Sequence, residues 1–238
     1  MEGIIHSIES LAAVDGEGLR CSVFLSGCPL RCAYCHNPDT WEMQGKRTSS
    51  YDLVRKIARF RPYFGENGGV TFSGGEPLLQ APFLREVAEL LLQEKIPYIL
   101  DTSGHVEATD DVLFLLKYAQ GVLLDLKFWD NDSYLLYTGK GIQKTLDVFR
   151  ILNDYDIPTT VRTVVVPNLN DTIEHIDAYL NVLSDFSCVK YELLPFHTMG
   201  FFKYEKLGIH NPFQSKKALS QDKLIELQSY VKLKRKNG

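Results

Sequence analysis

The stretch "GCPLRCAYCHNPDTW", residues 27–41, carries three cysteines within eight residues. Cys28, Cys32 and Cys35 follow the spacing C-x3-C-x2-C, and His36 comes directly after the last of them. In a chain whose cysteines stay reduced, thiols grouped this closely serve as metal ligands or as catalytic groups. The loop that carries them is therefore the part of the sequence from which fold and function are best approached.

The composition is that of an ordinary globular protein. The chain has 238 residues, of which 45% are hydrophobic and 24% charged, and its formal net charge is −4. This length can bury a sizeable core, and the charge balance shows no nucleic-acid footprint. The amino-terminal "MEGIIHSIES" lacks the regions of a signal peptide, and no apolar run is long enough to predict a membrane span. We therefore expect a cytoplasmic protein that binds neither membrane nor nucleic acid.

Strand and helix patterns alternate along the chain. Short runs rich in β-branched and aromatic residues predict strands at 19–26, 69–73, 97–102, 121–127, 159–166 and 188–194. Helical periodicity predicts a helix after each strand, at 50–60, 81–94, 109–119, 144–155, 171–186 and 219–233. Such alternation is typical of a parallel sheet with right-handed crossovers.

The fold class that follows is α/β. Six strand–helix units are fewer than the eight that close a full barrel, so we predict an open, partial (βα)6 barrel with parallel strands and outer helices. A doubly wound sheet is the alternative, and the pattern alone separates the two poorly. No linker rich in Pro, Gly or Ser divides the chain. We therefore predict one domain over residues 1–238, with the cysteine loop at 27–41 and a carboxyl-terminal extension over about 197–238.

Four kinds of site could use the cysteine loop. "CAYCH" matches a covalent haem attachment motif, but that chemistry needs an exported protein. A thioredoxin-like C-x-x-C pair would leave Cys28 without a role. A zinc site would have to use Cys35 and the adjacent His36, which reach one tetrahedral ion with difficulty. Three cysteines on one tight loop could instead hold an iron–sulfur cluster.

An iron–sulfur cluster on this loop would lack one protein ligand. A four-iron cluster has four irons to ligate, and the loop offers three thiolates. Cys21 and Cys188, the remaining cysteines of the chain, fit better as small buried residues. One iron would then stay open to a non-protein ligand, which is the arrangement of a catalytic cluster rather than of an electron carrier.

The cysteine spacing, with the aromatic Tyr34 before the last cysteine, resembles the signature of the radical S-adenosylmethionine (SAM) superfamily. Within it, the chain resembles the glycyl-radical-enzyme activases of the pyruvate formate-lyase type from about residue 5 to residue 210. Glu17, where that family often has proline, is a small departure in a predicted turn. The stretches that carry the likeness occur in order: "VDGEGLR", "GCPLRCAYCHNPDTW", "TFSGGEPLL", "LDTSG", "LLDLK", "VRTVVVP" and "ELLPFHTMG".

The resemblance implies cofactors, a reaction and partners. A [4Fe–4S] cluster on Cys28, Cys32 and Cys35 would bind the amino and carboxylate groups of SAM at its open iron. One electron from the reduced cluster would cleave SAM into methionine and a 5′-deoxyadenosyl radical. That radical would abstract hydrogen from a glycine of pyruvate formate-lyase (formate C-acetyltransferase) under anaerobic conditions. We further expect reduced flavodoxin or ferredoxin as the electron donor, and a monomeric protein.

Residues near the predicted strand ends supply candidate SAM contacts. "SGGE" follows the second predicted strand, where Gly74 and Gly75 would let backbone N–H groups approach the amino acid part of SAM. Taken alone, the same residues are also a common strand-ending turn. The resemblance implies an adenine contact for Tyr34 and His36. The full cofactor-binding set that we predict is Tyr34, Cys35, His36, Gly74, Gly75, Glu76, Asp125, Leu126, Lys127 and His197.

Two predicted strand ends carry carboxylates. Asp125 and Lys127 lie two residues apart, and so on one face of the fourth predicted strand, while Asp101 lies at the end of the third. Two carboxylates that point into one barrel repel, so either one is protonated or a cation lies between them. An ion-pair layer that includes Arg162 is the structural alternative. The resemblance implies a monovalent cation on Asp101, Thr102 and Asp125. The catalytic set that we predict is Cys28, Cys32, Cys35, Lys127 and Arg162.

These groups fall at or near the carboxyl ends of different predicted strands, where parallel barrels build their active sites. Residues 36–68 contain no cysteine, so the inserted ferredoxin-like module of some other activases is not expected. The pyruvate formate-lyase type is therefore favoured. Two alternatives remain: an activase of a different glycyl radical enzyme, and a non-catalytic iron–sulfur or zinc protein.

Overall fold

The computed structural model describes residues 1–12, 16–186 and 190–236. Within these ranges the chain forms eight strands: β1 (Glu2–Ala12), β2 (Arg20–Leu25), β3 (Lys46–Ser49), β4 (Gly69–Gly74), β5 (Tyr98–Thr102), β6 (Gly121–Asp125), β7 (Thr159–Val165) and β8 (Lys190–Pro195). The same ranges contain nine α-helices: α1 (Ser50–Ala58), α2 (Arg61–Phe64), α3 (Ala81–Gln93), α4 (Asp110–Tyr118), α5 (Asn131–Thr138), α6 (Gln143–Asp154), α7 (Ile173–Leu183), α8 (Phe201–Leu207) and α9 (Gln221–Lys236).

All of these strands join one sheet in the order β3-β1-β2-β4-β5-β6-β7-β8. Neighbouring strands are parallel from β2 through to β8. The strands β3 and β8 form the two edges, so the sheet is not closed into a barrel. The six parallel strands are the predicted ones, and the expected open α/β architecture is confirmed. The start of the sixth predicted strand, with Cys188, lies outside the described residues.

Two antiparallel strands extend the sheet beyond the prediction. β1 pairs with β2 through Ile5↔Leu25 and Ile8↔Val23, and β3 pairs with β1. Their sequences, "EGIIHSIESLA" and "KRTS", lack the continuous apolar runs of the parallel strands. An antiparallel strand needs no such run when only one of its faces packs against the core. The sheet is therefore mostly, rather than wholly, parallel.

The helices cover the outer face of the parallel strands and leave the inner face open. In β7, Val161 and Val165 are fully buried, whereas Thr160, Arg162 and Val164 are partly exposed. Because side chains alternate across a strand, these two sets lie on opposite faces. The inner face is thus a groove with a charged residue in its middle.

Most helices begin where the sequence predicts. α1, α4 and α7 follow Ser49, Thr109 and Thr172, whose side-chain oxygens accept backbone N–H groups of the first turn. α2, α5 and α8 were not predicted. α5, "NDSYLLYT", has no clear apolar face, and α8 has only seven residues. Both lie beside the cysteine loop.

The carboxyl-terminal helix α9 closes the fold at the β8 edge. Leu224, Leu227 and Val231 of α9 belong to an apolar cluster that also contains Ile176 of α7 and Leu193 of β8. This cluster is separate from the main core, which lies between the sheet and the earlier helices. Neither α9 nor any other helix of the described ranges is long and apolar enough to cross a membrane.

Candidate active site

The cysteine loop begins where β2 ends, and backbone hydrogen bonds join its start to its end and its centre to α5. N–H groups at its start donate to the 3-10 turn at Pro38–Thr40 and the residue after it, and N–H groups at its centre donate to the end of α5. The four bonds are Gly27 N to Thr40 O (2.8 Å), Cys28 N to Trp41 O (3.0 Å), Arg31 N to Thr138 O (2.8 Å) and Ala33 N to Tyr137 O (2.8 Å). The fold itself therefore fixes the loop.

The three loop cysteines carry free thiols. Burial raises the pKa of Cys28 and of Cys32 to about 12, and it also raises the pKa of Cys35. The Lys127 ammonium opposes this effect at all three thiols. Iron ligands must be thiolates, so metal loading would release protons from this loop. Lys127 is placed to compensate the negative charge that then remains.

The Gly-Gly-Glu turn packs directly on the cysteine loop. Gly75 N donates to Leu25 O at 2.9 Å, and Glu76 N donates to Gly27 O at 2.7 Å. A Cβ atom on Gly75 would lie 2.2 Å from the Gly27 carbonyl oxygen, so the close approach requires glycine. The Gly75 N–H, which we expected to approach SAM, donates within the protein, and so does the N–H of Glu76.

Glu76 joins this turn to the end of β5. Its buried carboxylate accepts hydrogen bonds from Thr102 Oγ1 at 2.6 Å, Ser103 N at 2.9 Å, Ser103 Oγ at 2.6 Å and Leu78 N at 3.1 Å. Burial raises the pKa of Glu76, and these hydrogen bonds oppose the shift. Thr102, a member of the predicted cation site, therefore directs its hydroxyl to Glu76.

Arg162 lies between the two carboxylates that the sequence places at strand ends. Its guanidinium donates to Asp101, and it donates to Asp125 Oδ1 through Nε at 3.1 Å and Nη2 at 2.8 Å. Lys127 Nζ donates to Asp125 Oδ2 at 2.7 Å, and Ser73 Oγ donates to Asp101 at 2.8 Å. We call Asp101, Asp125, Lys127 and Arg162 the charged layer. Its two cations balance its two carboxylates, so their repulsion requires no bound metal ion.

The charged layer shifts the pKa values of its members in different directions. Burial acts to raise the pKa of Asp125, but Arg162 and Lys127 outweigh it and lower this pKa to about 2. At Asp101 burial outweighs Arg162, and the pKa is raised. Burial alone would lower the pKa of Lys127, yet the Asp125 carboxylate holds it above its ordinary value. Asp125 and Lys127 are therefore both charged at neutral pH.

His36 and His197 form a stacked pair at the mouth of the barrel. Their ring centroids are 3.8 Å apart at an angle of 10°, and His36 Nε2 lies 2.8 Å from the His197 carbonyl oxygen. Burial lowers the pKa of His36 to about 4 and also lowers that of His197. Both rings are therefore neutral near pH 7. Two flat, uncharged rings in this position can pack against an aromatic ligand.

Tyr34 and Leu126 are both buried, and each donates a hydrogen bond to another part of the protein. Tyr34 is 3% exposed, its ring packs 6.2 Å from that of Phe128, and its hydroxyl donates to Lys127 O at 3.3 Å. Leu126 is 1% exposed, and its N–H donates to Arg162 O at 2.9 Å. Both residues position the site from inside the core, so a cofactor contact from either would come from its backbone.

The chain is similar to known proteins over nearly its whole length. Residues 22–180 match the profile of the radical SAM superfamily. The chain is 42% identical over 233 residues to the pyruvate formate-lyase-activating enzyme of Clostridium pasteurianum, with 97% of each chain covered. It is 38% identical over 248 residues to the pyruvate formate-lyase-activating enzyme of Staphylococcus aureus (strain USA300), with 99% of this chain and 98% of the other covered. The chain belongs to the pyruvate formate-lyase-activating enzyme family of the radical SAM superfamily.

A solved structure supports the fold of this radical SAM protein. Streptococcus suis SuiB bound to the precursor peptide SuiA aligns with a TM-score of 0.65 over 86% of this chain and 43% of that chain. The two sequences are 15% identical, so the likeness concerns the fold alone. Family membership and the shared fold together confirm the resemblance drawn from the cysteine loop.

Radical SAM proteins use a [4Fe–4S] cluster and SAM, and the described residues fit both groups. Three thiols on one loop supply the protein ligands of a cluster that keeps one iron open. Among the described residues, no three Cys, His, Asp or Glu side chains gather closely enough to hold one metal ion, so the three thiols do not form a site for a single ion such as zinc. His197 Nδ1 is buried and has no partner within the described ranges, as expected of an atom that meets a bound ligand.

Sequence reasoning missed the contacts that the carboxyl-terminal extension makes with the cysteine loop. They are Tyr204 Oη to Cys35 O (2.9 Å), Lys203 Nζ to Asn37 Oδ1 (2.8 Å) and Lys203 Nζ to Asp39 Oδ1 (3.0 Å). Gly200 adds a close approach, because a Cβ atom there would lie 2.6 Å from the His36 carbonyl oxygen. The only signal in the sequence was the position of α8, directly after "PFHTMG".

The inner groove of this activase-family protein contains a cavity of about 470 Å³. Ile99, Leu123, Thr160 and Leu194 line it, and Arg162 connects it to the charged layer. A second cavity of about 700 Å³ lies between Pro29 of the cysteine loop and the start of α6. Of the two, only the first contains a residue of the charged layer. Most of its other lining residues, among them Gly121, Pro158, Thr159 and Lys190, lie at the amino ends of the strands, so this cavity opens at the end of the sheet opposite the cysteine loop.

Proposed function

We propose that this chain is a radical SAM activase that installs a glycyl radical on pyruvate formate-lyase (formate C-acetyltransferase) under anaerobic conditions. The observation that carries the proposal is the cysteine loop, whose three thiols share the influence of the Lys127 ammonium at the carboxyl ends of parallel strands. When bound, the [4Fe–4S] cluster and SAM supply the electron and the 5′-deoxyadenosyl radical that removes one hydrogen atom from a glycine Cα.

The first role of the protein's own side chains in this chemistry is to hold charged groups at fixed positions. Cys28, Cys32 and Cys35 are the proposed cluster ligands. Lys127 keeps its charge close to them because Asp125 accepts its hydrogen bond at 2.7 Å. Arg162 in turn fixes Asp125, so the catalytic role that we assign to Lys127 and Arg162 is electrostatic. Charges held this way need no reorganisation when the electron arrives.

The remaining proposed roles concern SAM and a cation. His36 and His197 would meet the adenine, with Tyr34 and Leu126 behind them. The turn Gly74–Gly75–Glu76 would offer carbonyl oxygens to the SAM ammonium, because two of its N–H groups are already used. A monovalent cation on Asp101, Thr102 and Asp125 would have to share the two carboxylates with Arg162.

The proposal also names the protein's partners and its cellular compartment. A glycine on a flexible segment of the target could enter the inner groove, since the open sheet leaves room for a polypeptide loop. Reduced flavodoxin or ferredoxin is the proposed electron donor. We also propose that residues 1–238 work as one domain, as a monomer, in the cytoplasm.

The proposal is tested by anaerobic reconstitution with iron and sulfide, followed by reduction and addition of SAM and pyruvate formate-lyase. We expect 5′-deoxyadenosine, measured by chromatography, and a glycyl doublet in the electron paramagnetic resonance (EPR) spectrum. Formation of 5′-deoxyadenosine with a doublet only on a different glycyl radical enzyme would mean a wrong target. A loaded cluster that never yields 5′-deoxyadenosine would refute the radical SAM activity itself.

A further inference from the structure

The backbone carbonyl of Lys127 is a meeting point of three parts of the fold. Lys127 lies two residues beyond the end of β6, and its carbonyl oxygen accepts two hydroxyl groups. One is Tyr34 Oη of the cysteine loop, at 3.3 Å, and the other is Tyr179 Oη of α7, at 2.9 Å. Because Tyr34 directly precedes Cys35, this one oxygen joins β6 and α7 to the cysteine loop.

Asn170, in the turn between β7 and α7, sets the direction of the Tyr179 hydroxyl. Asn170 Oδ1 accepts the Val166 N–H at 2.7 Å, and Asn170 Nδ2 donates to Val164 O at 3.0 Å. These two bonds allow one orientation of the amide, in which Nδ2 also donates to Tyr179 Oη at 3.0 Å. A hydroxyl has one proton to donate. Since Tyr179 Oη accepts from Asn170, it gives this proton to Lys127 O.

Asn170 and Tyr179 are both fully buried. The Tyr179 ring packs edge-on against Trp129 at 5.2 Å. Burial raises the pKa of Tyr179, so its hydroxyl stays protonated and remains a donor. Removal of this hydroxyl alone would leave the Lys127 carbonyl with the longer bond, the one from Tyr34.

The side chain of the same lysine belongs to the charged layer. Lys127 Nζ donates to Asp125 Oδ2 at 2.7 Å, and the side chain is largely buried. The bonds to the Lys127 carbonyl therefore fix the point of the main chain from which the ammonium extends. A shift of the main chain at this point would move the ammonium relative to Asp125, and it would also loosen the contact with Tyr34.

We propose that Tyr179, oriented by Asn170, is a positioning residue that holds Lys127 beside the cysteine loop for the binding of SAM. This role rests on the proposed function, in which Lys127 is one of the SAM contacts, but it does not depend on which protein is activated. It extends the site to helix α7, which supplies none of the residues of the proposed function.

The first test detects the hydrogen bond in the cluster-free protein. Lys127 and Phe128 form the only Lys-Phe pair of the sequence, so ¹³C-carbonyl lysine and ¹⁵N-phenylalanine give one cross-peak in a carbonyl–amide NMR correlation. We expect Tyr179→Phe to move the Lys127 carbonyl resonance, because the carbonyl loses a hydrogen bond. Tyr98→Phe is the matched control, since the buried Tyr98 hydroxyl donates to Leu115 O at 2.8 Å. An unmoved resonance in Tyr179→Phe would overturn the proposal.

The second test separates positioning from a purely structural contact. The reconstituted variants are titrated with SAM at equal iron content. We expect Tyr179→Phe to raise the dissociation constant about three- to tenfold, the range that one hydrogen bond supplies, and Tyr98→Phe to keep the native value. In Lys127→Met protein, which lacks the ammonium, the further change Tyr179→Phe should have little effect, because both changes act through one group.

Three outcomes of the SAM titration would overturn the proposal. They are a native affinity in Tyr179→Phe, equal losses in Tyr179→Phe and Tyr98→Phe, and a full further loss when Tyr179→Phe is added to Lys127→Met. The NMR test needs no cluster, so it still decides the hydrogen bond if a variant fails to load. A native protein that loads its cluster but binds no SAM would instead refute the proposed function.

Discussion

At the scale of single residues, Arg162 compensates the negative charge of two carboxylates on the inner face of the sheet. Asp101 and Asp125 both accept hydrogen bonds from its guanidinium, and its side chain is 12% exposed. A carboxylate pair in such surroundings is stable only with a cation between its members. The structure places Arg162 there, which is the ion-pair alternative that the sequence left open beside a proton or a bound ion.

Replacement of Arg162 by Met should therefore destabilise the cluster-free protein. Breaking a buried ion pair by removing one partner costs about 3–5 kcal/mol, because a buried charge is left uncompensated. Anaerobic urea unfolding measures the loss. Arg85→Met is the control: Arg85 pairs with Glu89 and Asp111 on the surface, and we expect little change there. Equal losses in the two variants would contradict a buried, interdependent charged layer.

The same variant should show a distinct pH dependence. The pKa of Asp125 is about 2 in the folded protein, below its ordinary value of 3.8. Its stabilising contribution is therefore present above about pH 4 and is lost as the pH falls towards 2. The difference in unfolding free energy between the native protein and Arg162→Met should shrink over that window. A difference that stays constant from pH 6 to pH 2 would contradict the assignment of the low pKa to Arg162.

The cysteines divide into ligands and core residues. Cys28→Ala, Cys32→Ala and Cys35→Ala should each abolish the four-iron cluster, measured by iron content and absorbance after anaerobic reconstitution. Cys21 is fully buried in the core, so Cys21→Ala should keep the cluster and cost about 1–2 kcal/mol from the vacated volume. The same retention is expected for Cys188→Ala. Loss of iron in the Cys21 or Cys188 variant would contradict a cluster with an open iron.

At the scale of elements, α8 and the residues before it decide how the cysteine loop is covered. The loop from β8 to α8 brings His197 onto His36 and places Gly200 against the His36 backbone. Lys203 and Tyr204 then attach α8 to the residues on either side of His36. The proposed adenine-binding pair therefore depends on an element far along the chain.

Gly200→Ala tests this dependence. The backbone of Gly200 has an ordinary φ of −86°, so alanine meets no conformational strain, and only the 2.6 Å approach to the His36 carbonyl changes. Displacement of His36 should weaken SAM binding about tenfold or more while the iron content stays constant. Titration of the loaded protein with SAM measures this. Gly121→Ala, where the nearest atom is 3.2 Å away, is the control, and equal SAM affinities in the two variants would contradict the role of α8.

Some of the strands and helices could be predicted from the sequence, and others could not. β4, β5 and β6 are short apolar runs, since both of their faces are covered or turned inward, and such runs are visible in a sequence. β1, β3, α5 and α8 lack a regular apolar pattern, because contacts distant in sequence hold them. Propensity and periodicity cannot detect elements that tertiary contacts stabilise.

At the scale of the whole molecule, the sequence predicted which residues meet but not how they bond. Parallel strands bring their carboxyl ends to one edge, so the cysteine loop, Glu76, Asp125 and His197 were expected together. The hydrogen-bond partners depend on side-chain directions that spacing does not encode. Arg162 could thus be placed on its strand but not between two carboxylates. Tyr179 and Tyr204 were overlooked because neither belongs to the pattern of metal ligands.

The central claim is that this fold delivers a radical to a glycine of pyruvate formate-lyase, and deuterium transfer tests it most directly. Pyruvate formate-lyase labelled with α,α-dideuterated glycine is mixed anaerobically with the loaded, reduced protein and SAM. Mass spectrometry of the 5′-deoxyadenosine should then show one added deuterium, in proportion to the glycyl radical counted by EPR. Formation of 5′-deoxyadenosine without deuterium, while the doublet accumulates, would contradict direct hydrogen abstraction from the target glycine.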